Sequence, residues 1–144
     1  MLLVQHSLKK SKVHGIGVFA EEPIPKGTIM WRFTPGFDVK FTKQQVLTLP
    51  EDAQKYLCMY GWKSKKSKRY CVAFDAGKHV NHSEDPNCRS VYVDSEDEVV
   101  TVALRDIRVG EEILEDYTSL EDENDVHNLF FKLREKYYPE ESDF

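Results

Sequence analysis

Cysteine is scarce in this chain, and what there is lies too far apart to work together. Cys58, Cys71 and Cys88 are the three, with no Cys-x-Cys or Cys-x-x-Cys spacing. An odd, scattered set excludes a disulfide framework and a zinc site built from cysteine alone. Long apolar runs are lacking too. No stretch approaches the roughly 20 apolar residues of a membrane-spanning helix, and the opening Met1-Leu2-Leu3-Val4-Gln5-His6 turns polar too soon for a secretory signal. There is no internal repeat and no Gly/Ser-rich linker. Positive charge is in deficit: 20 Lys and Arg against 25 Asp and Glu give a net charge of −5. A general nucleic-acid binder carries the opposite balance, and an acidic surface suits a basic partner. These absences lead us to expect an intracellular, cytoplasmic protein, with the nucleus or chromatin as the alternative, and neither a membrane nor a nucleic-acid partner.

What is present is enough for one real core. The chain has 144 residues, 40% of them hydrophobic and 12% aromatic, which is the size and composition of a single domain. Its first third reads as short strands. Gly15-Ile16-Gly17-Val18-Phe19-Ala20 is an apolar segment entered through glycines, Pro23 to Gly27 is a turn, and Thr28 to Phe33 is β-branched and aromatic. The period then changes. Thr42 with Gln45, and again Thr48 with Glu51, have capping-box spacing, so a helix broken near Pro50 should run towards Tyr60. Strands return at Tyr70 to Phe74, and Val91 to Asp94 with Glu98 to Leu104 form a hairpin. Lys63 to Arg69 is a basic run, read as a solvated hairpin turn or as a steering patch for nucleic acid or an acidic partner. The tail carries Val126, Leu129, Phe130, Leu133 and Tyr137 in one helical stripe, with Ser119 and Asp122 as cap candidates, acids in the first turns and bases in the last. The whole is a β-rich α+β domain with a C-terminal helix.

Three segments carry chemistry: Gly15 to Ala20, then Val80-Asn81-His82-Ser83-Glu84-Asp85-Pro86-Asn87, then Gly110-Glu111-Glu112-Ile113-Leu114-Glu115-Asp116-Tyr117. A lone Gly-x-Gly occurs at ordinary turns, and Gly-Glu-Glu does too. Two Asn, a His and a Pro crowded together make a poor core and read otherwise as an Asx-turn loop. In this order the three resemble the SET-domain family of protein lysine methyltransferases, over about residues 10 to 118.

The resemblance implies a SET-domain fold of small curved β-sheets with a knot-like threading after the Asn-His-Ser motif. It divides the chain into a SET domain at 1–118 and a helical extension at 119–144 that packs on that domain or on a partner. It implies methyl transfer from S-adenosylmethionine to a lysine of a protein or peptide substrate, cofactor and peptide entering from opposite faces. Ile16, Gly17 and Val18, with Gly15, would hold the methionine end of the cofactor by close backbone approach. Asn81 and His82 match the family's cofactor contacts. Tyr117 matches its active-site tyrosine, whose hydroxyl aligns the methyl; outside the motif it would read as a strand-end tyrosine with a bonded hydroxyl. Tyr56, Tyr60 and Phe74 are candidates for the lysine channel, the first two sharing a helix face, where core packing is the plain alternative. Glu84 stands where many members have cysteine, and no cysteine follows Tyr117, so a C-terminal zinc cluster is not expected and no metal is assigned. An aromatic from the C-terminal helix must then cover the adenine. Phe131 lies off the apolar stripe and is the candidate, while Phe130 lies on it and reads as core. A catalytically inactive SET-like module that binds a protein or peptide is the alternative function. Monomer and homodimer both stay open, since the C-terminal stripe can fold back or pair with a second copy.

Overall fold

The structure, a computed structural model, describes residues 1–140. β1 (His6–Lys10) and β2 (Ile16–Ala20) form an antiparallel hairpin whose register pairs His6 with Ala20 and Lys10 with Ile16. Its turn closes through Ser11: the backbone N–H bonds Gly15 O at 2.8 Å, and the hydroxyl accepts from Val13 N and His14 N. Gly15, with φ +46°, takes the left-handed conformation that a side chain disfavours. β3 (Ile29–Arg32) and β4 (Val39–Phe41) follow.

The helical segment is two helices, α1 (Lys43–Thr48) and α2 (Glu51–Tyr60). Thr42 caps α1 in the expected box: its side chain accepts from Gln45 N at 3.0 Å while Gln45 Oε1 accepts from Thr42 N at 2.8 Å. The second expected box does not form. Thr48 is the last residue of α1, its hydroxyl bonded back to Gln45 O, and Pro50 occupies the cap position of α2. Proline suits a helix start because its missing N–H would have gone unused there.

β5 (Trp62–Lys63) and β6 (Tyr70–Val72) flank the basic run and join β4 in a three-stranded sheet ordered β4-β6-β5. Three lysines of the run are engaged within the chain. Lys65 Nζ bonds Thr118 O at 2.5 Å, Lys66 Nζ bonds Val93 O at 3.0 Å and Glu96 O, and Lys63 Nζ pairs with Asp125. β7 (Asn81–His82), β8 (Cys88–Tyr92), β9 (Val99–Ala103) and β10 (Leu114–Glu115) complete a five-stranded sheet ordered β3-β9-β8-β10-β7. β8 and β9 are the expected hairpin. β10 lies between β7 and β8 and runs parallel to both, Glu115 aligning with His82 on one side and Cys88 on the other.

The C-terminal helix α3 is shorter than the stripe suggests, Leu129–Tyr137. Asn128, not Ser119 or Asp122, caps it, its Oδ1 accepting from Phe130 N at 3.0 Å. Val126 lies in the preceding turns, 75% exposed. The acids ahead of the helix hold those turns instead of sitting in its first turn: Asp122 accepts from Asn124 N and Asp125 from His127 N. Short Asx turns compete with helix and win where aspartates recur every few residues. α3 packs on α2, and the last four residues of the 119–144 extension lie outside the described residues.

Two apolar clusters make the core. The larger joins Val18, Ile24, Met30, Trp31, Val99, Ile107 and Ile113. The smaller joins Val46, Leu57, Tyr70, Leu129, Phe130 and Leu133, with the Tyr70 and Phe130 rings edge-on at 4.7 Å. No helix among the described residues is long and apolar enough to cross a membrane.

Candidate active site

A cavity of about 590 Å³ draws its wall from both clusters, a volume within the range of about 300–1,000 Å³ usual for small-molecule sites. Trp31, Thr101, Ile113 and Glu115 line its interior from the large sheet. Met59, Tyr60, Gly61 and Trp62 line it from the end of α2 and the start of β5. Val80, His82, Asp116, Tyr117, Phe131, Arg134 and Tyr138 also line it, with Lys78 and the acids Glu84, Glu121, Glu123 and Glu135 among the rest of the wall.

Tyr117 enters the wall because β10 ends two residues before it and a single 3-10 turn, capped by Asp116 on Thr118 N, fixes the chain there. Its hydroxyl donates to Val80 O at 2.7 Å and its backbone N–H donates to His82 Nδ1 at 3.1 Å. Since Nδ1 is an acceptor, neutral His82 carries its proton on Nε2, and the 4.0 Å approach of Nδ1 to Asp116 is no ion pair. Burial, then the neighbouring Glu115, pushes the Tyr117 phenol up to about 12, so it stays protonated.

Asn81 does not touch the wall but ties the three motifs together. Its Nδ2 donates to His14 O at 2.9 Å, to Ile16 O at 3.2 Å and to Glu112 Oε1 at 3.0 Å. Its Oδ1 has no partner among the described residues. Gly17 and Val18 are buried away from the cavity, and Ile16 is 51% exposed beside Asn81. Tyr56 packs against Tyr60 outside the wall, ring centroids 4.8 Å apart and tilted by 51°, its hydroxyl accepting from Lys78 Nζ at 2.8 Å. Phe74, 65% exposed, packs edge-on against Phe37 and does not reach the cavity. The structure therefore brings Tyr60, His82, Tyr117 and Phe131 together, with Asn81 behind them, and leaves Tyr56, Phe74 and the Gly-x-Gly strand outside that wall.

Phe131 is held by Arg134, whose guanidinium lies 5.5 Å from the ring. Arg134 also donates to Cys58 O at 2.6 Å, to Gly61 O at 2.9 Å and to Glu121 Oε2 at 3.0 Å, fixing α3 on the end of α2. Sequence reading did not single out Arg134, whose partners, two carbonyls and the distant Glu121, leave no local pattern. Glu115 was also passed over, although it had a signal: Ile113 and Glu115 sit two apart around Leu114, the spacing that puts both on one strand face. Trp62 Nε1 is the one buried side-chain polar atom without a partner among the described residues.

A family model for the SET domain matches residues 15–118, and the chain belongs to that family. It is 33% identical over 113 residues to the N-lysine methyltransferase KMT5A-A of Danio rerio, across 72% of this chain and 32% of that protein. It is 23% identical over 124 residues to the human Histone-lysine N-methyltransferase 2D, across 85% of this chain and 2% of that protein. The chain thus spans a third or less of the curated relatives it matches. Among solved structures it resembles a Plasmodium falciparum protein assigned as a histone methyltransferase, with TM-score 0.59, 22% identity, and 81% of this chain and 95% of that one covered. It also resembles ctPRC2 bound to S-adenosylmethionine, with TM-score 0.57, 21% identity, and 81% and 16% covered. Those likenesses establish the fold.

Proposed function

We propose that this chain transfers the methyl group of S-adenosylmethionine to a lysine side chain of another protein. The observation that carries the proposal is the gathering, on one cavity wall, of Tyr117, His82 and Tyr60 in a chain of the SET-domain family. S-adenosylmethionine supplies an electrophilic methyl on a sulfonium. The chain must supply alignment, dryness and a neutral amine. Holding the amine in line with the carbon–sulfur bond contributes up to roughly 7–11 kcal/mol of the barrier. A lysine of pKa about 10.4 must also shed its proton, at a cost of about 4–5 kcal/mol near neutral pH.

The residues fit this task. Tyr117, kept protonated and pinned to Val80 O, keeps a neutral oxygen with a lone pair that would accept from the polarised C–H bonds of a sulfonium methyl. Asn81 Oδ1 would accept from the amino-acid ammonium of the cofactor, and Phe131 would lie against its adenine, backed by Arg134. Tyr60 would flank the lysine stem. The net charge of −5 favours a basic protein as the substrate, and the names of the relatives make histones the first substrate to try.

The test is calorimetric titration with S-adenosylmethionine of the wild type and of Asn81→Ala, with a melting curve on each, followed by transfer of tritiated methyl to purified core histones. Saturable binding that the substitution weakens in a folded protein, and label on histone lysine, support the proposal. A wild type that binds no S-adenosylmethionine overturns it in favour of a peptide-binding module.

A further inference from the structure

We propose that Glu115 is the proton acceptor of methyl transfer in this chain, its carboxylate taking the proton that the target lysine's ammonium must lose. The inference rests on the methyltransferase reading and assigns a second reacting side chain to that site.

Glu115 is 4% exposed and lines the cavity two residues before Tyr117. Its Oε1 is fixed from behind: Ser90 Oγ donates to it, Ser119 Oγ lies 3.1 Å away with its one proton shared between Oε1 and Asp116 O at 2.8 Å, and Ser90 Oγ lies 3.4 Å from Thr101 Oγ1. Its Oε2 has no partner among the described residues, and no Lys, Arg or His nitrogen lies within 4.0 Å of either oxygen. A buried carboxyl without a cation is costly to keep, so a position that served packing alone would be better filled by an amide or an apolar side chain. Here the unfilled partner is a cation, in a cavity that we assign to an ammonium.

Four other glutamates line the cavity: Glu121 is engaged by Arg134 and by Lys63 N, and Glu84, Glu123 and Glu135 are exposed, so Glu115 is the buried acid among them without a cation. The remaining neighbours are engaged or hold their protons. Tyr117 already holds its proton and donates it to Val80 O. His82 uses Nδ1 to accept from Tyr117 N, which leaves the proton on Nε2. Cys88, on β8, keeps its thiol because burial pushes it up. Asp116 is engaged with Thr118 and held below the usual carboxylate range by that N–H. The cavity's cations are also occupied, Arg134 on carbonyls and Glu121, and Lys78 on the Tyr56 hydroxyl. Burial raises Glu115 to about 7, against the pull of its two serine bonds and with the help of Asp116. A carboxyl there divides between its two forms near neutral pH, so its ionised fraction can take a proton.

The step balances. The ammonium passes one proton to Glu115 and becomes a neutral amine. The amine's lone pair forms the N–C bond while the C–S bond breaks with its electrons on sulfur, leaving a thioether and an N-methylammonium. Glu115 then returns its proton to water through the cavity mouth, so each turnover releases one proton.

The experiment follows tritiated methyl transfer to purified core histones from about pH 6 to about pH 10 for wild type, Glu115→Gln and Ser119→Ala, with S-adenosylmethionine affinity measured on each. In Glu115→Gln, kcat should fall about 10²- to 10⁴-fold while S-adenosylmethionine affinity stays within about twofold, and the limb near neutral pH should vanish. Ser119→Ala keeps the acid but removes a bond to its ionised form, so the limb should move to higher pH. A folded Glu115→Gln with kcat within about threefold of wild type and an unchanged profile overturns the proposal. If Glu115→Gln does not fold, an unmoved limb in Ser119→Ala overturns it. If the wild type binds S-adenosylmethionine but leaves histones unlabelled, ¹³C NMR of the Glu115 carboxyl decides: titration below the neutral range overturns the proposal, and titration within it, lowered when Nα-acetyl-lysine methylamide is added, supports it. A wild type that binds no S-adenosylmethionine counts against the methyltransferase reading itself.

Discussion

The carboxylate of Glu112 stands where a side chain at residue 17 would have to go: a β-carbon on Gly17 would meet Glu112 Oε1 at 2.1 Å and Ser11 Cβ at 3.2 Å. The missing side chain makes room for a residue of this chain, which also accepts from Asn81 Nδ2 and from Ser11 Oγ at 3.0 Å. Gly17→Ala should therefore cost about 1–3 kcal/mol by overpacking, and adding Glu112→Ala should recover part of that loss. Urea unfolding of the two single variants and the double variant measures this. Strictly additive losses would show that the two sites do not compete for the space.

Tyr117→Phe removes one hydroxyl bond, to Val80 O. It should lower stability by about 1 kcal/mol and methyl transfer by about 10²- to 10³-fold, the size of losing one oriented polar group at a reacting centre. Initial rates with tritiated donor, beside a melting curve, separate the two effects. An unchanged rate would remove Tyr117 from the reaction.

Arg134→Met keeps much of the stem but removes the guanidinium donor from Cys58 O, Gly61 O and Glu121 Oε2, while Glu121 Oε1 keeps Lys63 N and Asn128 Nδ2. The half-buried ion pair and its carbonyl bonds make a loss of about 3 kcal/mol the expected size. S-adenosylmethionine affinity should weaken with it, because Phe131 rides on the same helix. Hydrogen exchange across residues 129–137 should speed up first. A helix that stays protected would show that Leu129, Phe130 and Leu133 suffice to hold it.

Glu115 also gives stability a sign in pH. Its folded pKa of about 7 lies above the ordinary 4.5, so the folded state binds the proton more tightly than the unfolded chain does. That contribution is complete below about pH 4.5 and is lost as pH rises through 7, a change of up to about 3 kcal/mol. The stability difference between wild type and Glu115→Gln should therefore shift against the wild type across this window. A flat difference would mean that Glu115 ionises as an exposed acid does.

The strands, the α1 capping box and the C-terminal stripe were legible because each rests on neighbours in sequence: Thr42 with Gln45, Leu129 with Leu133. The family was legible from three motifs, and Tyr60, His82, Tyr117 and Phe131 do share one wall. What stayed hidden depends on distance. Thr48 looked like Thr42, but Pro50 took the cap. Val126 has the stripe's spacing but not its burial, because Asp122 and Asp125 turn the chain first. Glu112 and Gly17 are linked only by the fold, and Glu115 looked like one more acid in an acidic run until a sheet closed around it.

The position of β10 also sets the order in which this site can exist. β7 and β8 are synthesised before it, yet β10 lies between them: Asn81 and His82 reach their sheet partners, and Cys88 the partner on its second edge, only when residues 114 and 115 arrive. A growing chain that ends short of that point has a slot in place of a site, with two strand edges unpaired. Pairing across such a separation is slow, because the closure cost precedes any reward. Glu115 and Tyr117 therefore join the partners set by β7 and β8 late in the chain, and Phe131, Arg134 and Tyr138 close the cavity later still.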